Sequence, residues 1–309
     1  MIAVFLQTLP FFGLIALGYG AAVRGFFNAE ATGYLTKFVF YFALPAMLLR
    51  FAGSLNLSDV LDWSFVGAYF AGSFAVYAFA TLVAMARKLR VAEAAIEAQC
   101  AVIGNVGFLG IPMLALLLGE QAIGPIMMVL AVDLVLFGGL VVILITGSQD
   151  GRMQLGVLKT VGMGLIKNPM IVSIMLGLVL STLQVDLPQP ADEFLTLLGG
   201  AATPGALFAI GASLASKSAE RLSVAGWLTV CKLILHPAAV GIAAIYIFHV
   251  DSVATGMMIA AASLPVAGNV YIIAQHYAVA PARVSAAILI STIFSVLTIP
   301  VIIGWVTTL

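Results

Sequence analysis

Residues 122–146 carry one charged side chain and residues 284–309 carry none. Stretches of that length cannot be left to water, and about 20 apolar residues in a helix are what it takes to cross roughly 30 Å of hydrocarbon. The rest of the chain follows the same pattern, with 63% hydrophobic and 8% charged residues, far from the balance of a soluble domain. The expected fold class is therefore all-α integral membrane, because the segments are too long for barrel strands and do not alternate. Ten helices are predicted, near 3–23, 32–53, 63–85, 94–118, 122–146, 168–185, 194–216, 222–248, 254–278 and 283–307. The first lacks a basic leader and is long enough for a full span, so it reads as a helix rather than a cleaved signal.

Orientation follows from where the cations lie, since Lys and Arg collect in cytoplasmic loops. The odd-numbered connections hold Arg24; Arg87, Lys88 and Arg90; Arg152, Lys159 and Lys167; Lys217 and Arg221; and Arg283. The even-numbered connections hold Asp59, Asp62, Glu120, Asp186, Asp192, Glu193 and Asp251, with no Lys or Arg. Both termini are accordingly expected on the periplasmic or extracellular side of the cell inner (plasma) membrane. The equal totals of acidic and basic residues give no signature of a nucleic-acid partner; the lipid bilayer is the partner that the composition demands. Cys100 and Cys231 fall in apolar runs without metal-ligand spacing and read as small hydrophobes.

The chain also resembles itself. ALPAMLLRFAGSL (43–55) aligns with ATPGALFAIGASL (202–214), with Pro45 on Pro204, and IGNVGF (103–108) aligns with AGNVYI (267–272), with Asn105 on Asn269. Five helices per half is an odd number, so the second half enters the membrane from the opposite side. The expected domains are a first repeat at 1–146, a cytoplasmic connecting loop at 147–167 and an inverted second repeat at 168–309, the arrangement that places a substrate site near the midplane of secondary transporters.

Both aligned asparagines sit in segments that helix chemistry disfavours. Gly104, Gly107, Gly110 and Pro112 interrupt one span, and Pro265 and Gly268 another; proline removes a donor and clashes with the preceding turn, and glycine weakens the helix. Two broken helices are expected there, with positive half-helix N-termini and the Asn105 and Asn269 amides able to hold an anion. The bland alternative is a packing kink with Asn as interhelical glue. Lys232 and Asp133 are charges deep in predicted spans, and such charges mark a pathway, a relay or each other. Their similar depth permits a bridge; alternatively Lys232 is a counter-charge for substrate and Asp133 takes part in proton or cation coupling. His236, before Pro237, is either a proton-sensitive relay group or a His bonded to its neighbour. Gln275 and His276 either line an exit or mark a helix end, and His249 is expected at the interface. Arg50 is expected to snorkel to the surface, and Pro45 and Pro204 to bend their helices. No metal site or cofactor is expected. Enzyme motifs are missing: there is no HExxH, GxSxG or P-loop, Asp133 has no second in-span aspartate, and GASL at 211–214 lacks the glycine that a rhomboid-like nucleophile turn would show.

FALPAMLLRF (42–51), GNVGFLGIPML (104–114), KNPMIVSIMLGLVLS (167–181), FAIGASLA (208–215) and LPVAGNVYIIAQHYAV (264–279) together resemble the auxin efflux carrier family in its bacterial branch, which includes malonate and malate transporters. The resemblance extends over essentially the whole chain. It implies two inverted five-helix repeats similar to sodium/proton antiporters and bile-acid transporters, with crossed, broken helices 4 and 9. Helices 1, 2, 6 and 7 would form a scaffold, and helices 3–5 with 8–10 a transport domain moving as an elevator. Asn105 and Asn269 map onto crossover asparagines that contact a substrate carboxylate; Gly104, Gly268, Pro112, Pro265 and Lys232 complete the expected binding set, with Asp133 and His236 as coupling or charge-relay groups. The chain lacks the long cytoplasmic loop of many plant exporters, so their phosphorylation control does not carry over. The expected partner is a small carboxylate such as malonate, malate or an auxin-like acid, with a homodimer through the scaffold helices as one assembly and proton or sodium coupling left open. The rival reading is a channel or receptor on the same helices.

Overall fold

A computed structural model describes residues 2–53, 62–150, 163, 166–185, 187–215 and 222–308. Asp59, Arg152, Lys159, Asp186, Lys217, Arg221 and most of the expected connection at 147–167 lie outside those residues. The elements are α1 (Ile2–Val23), α2 (Ala29–Gly53), α3 (Trp63–Ala86), α4 (Val91–Val102), α5 (Val106–Leu118), α6 (Ile123–Ser148), α7 (Pro169–Thr182), α8 (Gln189–Leu214), α9 (Leu222–Ile247), α10 (Ser252–Ala262), α11 (Gly268–His276) and α12 (Pro281–Val306). Among the described residues α2, α3, α6, α8, α9 and α12 are each long and apolar enough to cross a membrane, and the protein is an all-helical, multi-pass membrane protein.

Boundaries follow local chemistry. Asn28, Asp62, Asn168 and Asp251 cap α2, α3, α7 and α10 by accepting hydrogen bonds from first-turn N–H groups. Two of the acidic residues used to orient the chain thus have a second job as caps. The seventh predicted helix starts earlier than expected, at Gln189, because Pro188 and Pro190 suit the first turn of a helix.

Prolines act on the spans in a repeated way. Pro45, Pro112 and Pro237 each follow a widened, π-helical turn, at Val39–Ala43, Val106–Gly110 and Cys231–Leu235 respectively. Each proline lacks an N–H and its ring would strike the carbonyl four residues back, so the preceding turn opens by one residue rather than ending the helix. Pro204 follows a turn at Ala201 that divides α8.

Packing sorts the helices. α1 lies along α8, and α2 lies along α7 and α8, while α3 packs on α4 and α9, α4 on α6, α9 on α10 and α12, and α10 on α6 and α12. Lipid offers no hydrophobic drive between helices, so backbones close in over small residues. A Cβ on Gly211 of α8 would stand 1.8 Å from the Ile15 carbonyl oxygen of α1, and one on Gly177 of α7 would stand 2.6 Å from that of Leu49 in α2.

Gly211→Val should therefore lower the melting temperature of the purified protein, at a cost of about 1–3 kcal/mol or more, because a backbone carbonyl must move. Gly226→Ala, where nothing lies within 4 Å, should leave it unchanged or raise it. Equal melting of both variants would show that the α1–α8 approach is not tight.

Candidate functional site

The chain is interrupted in the two places where glycine and proline gather. α4 ends at Val102 and α5 begins at Val106; α10 ends at Ala262 and α11 begins at Gly268. The two gaps meet as a short antiparallel pair, Gly104 opposite Val266. The Asn105 N–H donates to the Pro265 carbonyl at 2.8 Å, and the Ala267 N–H donates to the Ile103 carbonyl at 3.0 Å. Asn105 itself, at φ −76° and ψ 54°, holds an inverse γ-turn closed by the Val106 N–H on the Gly104 carbonyl at 2.8 Å. The Val266 N–H donates to the Ser291 hydroxyl at 3.0 Å.

Several freed backbone groups thus satisfy one another across the crossing, as a low-dielectric interior requires. What remains is specific. No acceptor among the described residues meets the N–H groups of Gly107 and Phe108 at the start of α5, or of Gly268 and Asn269 at the start of α11. Each half-helix therefore keeps two unpaired donors at its positive end. The Asn105 side chain is buried, and the Asn269 side-chain oxygen is buried without a partner. Pro265 contributes its carbonyl to the crossing. Pro112 is buried six residues past the break in α5 and shapes the widened turn before it.

Lys232 reaches the crossing from α9. Its ammonium would lie 3.3 Å from a Cβ on Gly104, so a larger residue there would crowd the amine by a few tenths of an ångström. The amine donates to the Ala262 carbonyl at the end of α10 and lies 3.1 Å from His236 Nδ1. The direct bridge to Asp133 that equal depth permits is not formed; no Lys232–Asp133 pair comes within 4.0 Å among the described salt bridges. Asp133 instead accepts from the Tyr69 hydroxyl at 2.8 Å, and its other oxygen is buried without a partner. His236 Nε2 lies 2.8 Å from the Ser73 hydroxyl. Lys232 and Asp133 each occupy a π-helical turn, a distortion frequent at functional sites. His276 is exposed beside the Tyr277 ring, and His249 is exposed outside α9.

Two charged clusters were not legible in the sequence. Glu97 of α4 is 1% exposed and accepts from Arg87 and from Arg283, each at 2.7 Å. Arg283, expected in a cytoplasmic connection, is the third residue of α12 and is buried; Glu93 lies 3.8 Å from it. Arg50 does more than snorkel, pairing with Asp192 of α8 at 2.9 Å. A groove of about 700 Å³ between α9 and α12 holds none of the expected site residues; its exposed Ile234, Ile242, Leu297 and Val301 present a face that acyl chains would cover.

Interrupted helices with unpaired donors inside a multi-pass bundle, beside a buried cation, suit a membrane transport protein. The family model described as "Membrane transport protein" matches residues 3–303, and the chain belongs to this family, the auxin efflux carriers. It is 30% identical over 298 residues, 94% of this chain and 92% of the relative, to a protein of Rhizobium meliloti (strain 1021) named "Putative malonate transporter". It is 27% identical over 310 residues to "Uncharacterized transporter YfdV" of Escherichia coli (strain K12), covering 95% of each. A stretch of 226 residues is 26% identical to the "Lysosomal cholesterol signaling protein" of Mus musculus, covering 69% of this chain and 26% of that one.

Removing the carboxylate from the Glu97 cluster leaves two guanidiniums facing each other, so Glu97→Gln should destabilise the protein by about 3–5 kcal/mol, the cost of breaking a buried pair. Glu93→Gln, at a half-buried carboxylate with a longer contact, should cost at most about 1 kcal/mol. Thermal melts of both variants check the ranking, and equal melting would sink it.

Proposed function

We propose that this protein is a secondary transporter of a small organic anion, a carboxylate such as malonate, malate or an auxin-like acid. The observation that carries the reading is the pair of donor-bearing half-helix ends, Gly107–Phe108 and Gly268–Asn269, set across one backbone crossing with a buried ammonium behind it. Anions bind at such ends because unpaired N–H groups and the helix dipole point the same way. Asn105 and Asn269 would add amide donors from the two halves, Gly104 and Gly268 would let the substrate approach the backbone, Pro112 and Pro265 would hold the distorted turns, and Lys232 would supply the counter-charge. Asp133 and His236 would serve coupling to protons or sodium. The relative named for malonate makes that dicarboxylate the first to assay.

In this reading the two halves are inverted repeats, 1–146 and 168–309, which cross the inner membrane ten times, with α4–α5 and α10–α11 as the two interrupted crossings and both termini on the periplasmic side. The packing of α1 on α8 and of α7 on α2, each closed over a glycine, is the reciprocal pattern such a repeat produces. α1, α2, α7 and α8 would be the scaffold, able to pair two copies as a homodimer, and the remaining helices the moving body of an elevator. At that boundary the Met170 methyl of α7 would lie 2.7 Å from a Cβ on Gly107, and Phe40 of α2 stacks on Phe108 of α5 with ring centroids 6.3 Å apart.

Proteoliposome uptake of labelled malonate, malate and indole-acetate tests the proposal. Wild type should take up at least one of them saturably, and Asn269→Ala and Lys232→Met should each reduce uptake at least tenfold while melting as the wild type does. A large unitary conductance without saturation would favour a channel, and unchanged uptake in both variants would remove the site.

A further inference from the structure

Three buried side chains on two helices meet at the C-terminal end of a third. Lys232, His236 and Ser73 are each 0% exposed. The Lys232 amine donates to the carbonyl of Ala262, the last residue of α10, and lies 3.1 Å from His236 Nδ1. Lys232 belongs to the widened turn Cys231–Leu235, which His236 and Pro237 follow directly, so one proline shapes the turn on which amine and ring meet. On the facing helix a Cβ on Gly72 would stand 2.6 Å from the Val240 Cα. That close approach of α3 to α9 brings the Ser73 hydroxyl to 2.8 Å from His236 Nε2. The Tyr69 ring packs edge-on against the imidazole, with centroids 5.8 Å apart.

Charge fixes the direction of these bonds. An ammonium only donates, so His236 Nδ1 accepts, the neutral ring carries its hydrogen on Nε2, and the Ser73 hydroxyl accepts that hydrogen. A lysine ammonium has three hydrogens to give. Two are committed, to Ala262 and to His236, and among the described residues it bonds no third acceptor. We propose that His236 and Ser73 are positioning residues for the substrate anion. Ser73 holds the imidazole in the tautomer that accepts from Lys232, and His236 and Ala262 together leave the third ammonium hydrogen to a carboxylate at the crossing. The inference deepens the transport reading and rests on it for the substrate. It also narrows the part of His236, whose hydrogen is committed to Ser73 and whose lone pair is committed to Lys232.

The need that these residues meet is orientation without neutralisation. Lysine is a compact charge on a flexible four-carbon stem whose donors rotate, so burial alone does not decide where its hydrogens point. Capping the end of α10 takes one of them, and an amine held by that bond alone could turn about it. A second acceptor removes that freedom. The choice of acceptor matters as much. The negative end of α10 and the imidazole lone pair solvate the charge without cancelling it, whereas a carboxylate in the place of His236 would cancel it and leave an incoming anion nothing to meet. Asp133, the carboxylate at similar depth, bonds Tyr69 instead. A buried charge left in this state is costly, and a substrate carboxylate is the group that relieves the cost.

The test uses the full-length protein in liposomes with labelled malonate, malate and indole-acetate. His236→Leu should raise the half-saturating concentration about tenfold, the worth of one hydrogen bond to a charged group, with the maximal rate little changed. His236→Asn, whose amide oxygen can stand where Nδ1 does, should restore most of the affinity, and His236→Asp, which puts an anion there, should not. A role confined to packing would treat Asn and Asp alike, and that pair carries the test if His236→Leu does not fold. Ser73→Ala should weaken affinity less than His236→Leu does, and Ser73→Thr, which restores a hydroxyl, should recover it. If wild type transports and His236→Leu keeps its half-saturating concentration, or Asn and Asp behave alike, the positioning role is overturned and the transport reading stands. If wild type takes up none of the three acids, the transport reading fails, and 15N spectra of labelled histidine, assigned with His236→Asn, decide how Lys232 is held. A neutral ring at pH 7 with its hydrogen on Nε2 upholds the bond pattern. A protonated ring, or one with its hydrogen on Nδ1, overturns it, because neither can accept from Lys232.

Discussion

Two backbone hydrogen bonds, from Asn105 to Pro265 and from Ala267 to Ile103, make the rest of the structure permissible. An interrupted helix inside hydrocarbon frees N–H and C=O groups that cost several kcal/mol apiece if left alone. Neither gap could persist against a regular helix or against lipid. Set against each other as one antiparallel rung, each gap supplies the partners that the other lacks. The same contact brings four helix ends together and puts Gly104 against the Lys232 amine.

The interruption was legible because its causes are local. Glycines at 104, 107 and 110 with Pro112, and Pro265 with Gly268, oppose helix wherever they occur. The widened turns that precede Pro45, Pro112 and Pro237 were not read, although their cause is equally local: the ring of each proline and the carbonyl four residues before it. Hydropathy located the long apolar helices for a similar reason, since lipid imposes one length and one composition. Helix starts were less legible, as at Gln189, because a proline inside an apparent loop in fact opens the first turn.

Partners far apart in the chain were invisible to the same reasoning. Glu97 looks like the second acidic residue of a helix start, one turn after Glu93, and nothing in its spacing announces Arg283, 186 positions away. Tyr69 and Ser73 read as an ordinary aromatic and an ordinary hydroxyl in a long apolar helix. Only the crossing of α3 with α9, which brings Val240 against Gly72, places the Ser73 hydroxyl beside His236 Nε2. The residues that the sequence did single out for chemistry, Asp133, Lys232 and His236, were conspicuous because charge is rare at that depth, and the uncharged groups that bond to Asp133 and His236 were not.

The contrast between the two buried carboxylates separates structure from chemistry in this protein. Glu97 sits between two guanidiniums, each at 2.7 Å, and both of its oxygens are engaged. Adding a proton to it would discard two charge-assisted bonds, so it acts as a fixed anchor between α3, α4 and α12. Asp133 has a phenol on one oxygen and, among the described residues, no hydrogen-bond partner on the other. Adding a proton there discards little, because a carboxylic acid can still accept from Tyr69. Burial alone does not distinguish the two, since both are nearly inaccessible; the difference lies in how completely each charge is met. A group whose charge is fully met holds the fold in one state, and a group whose charge is half met is the one free to change.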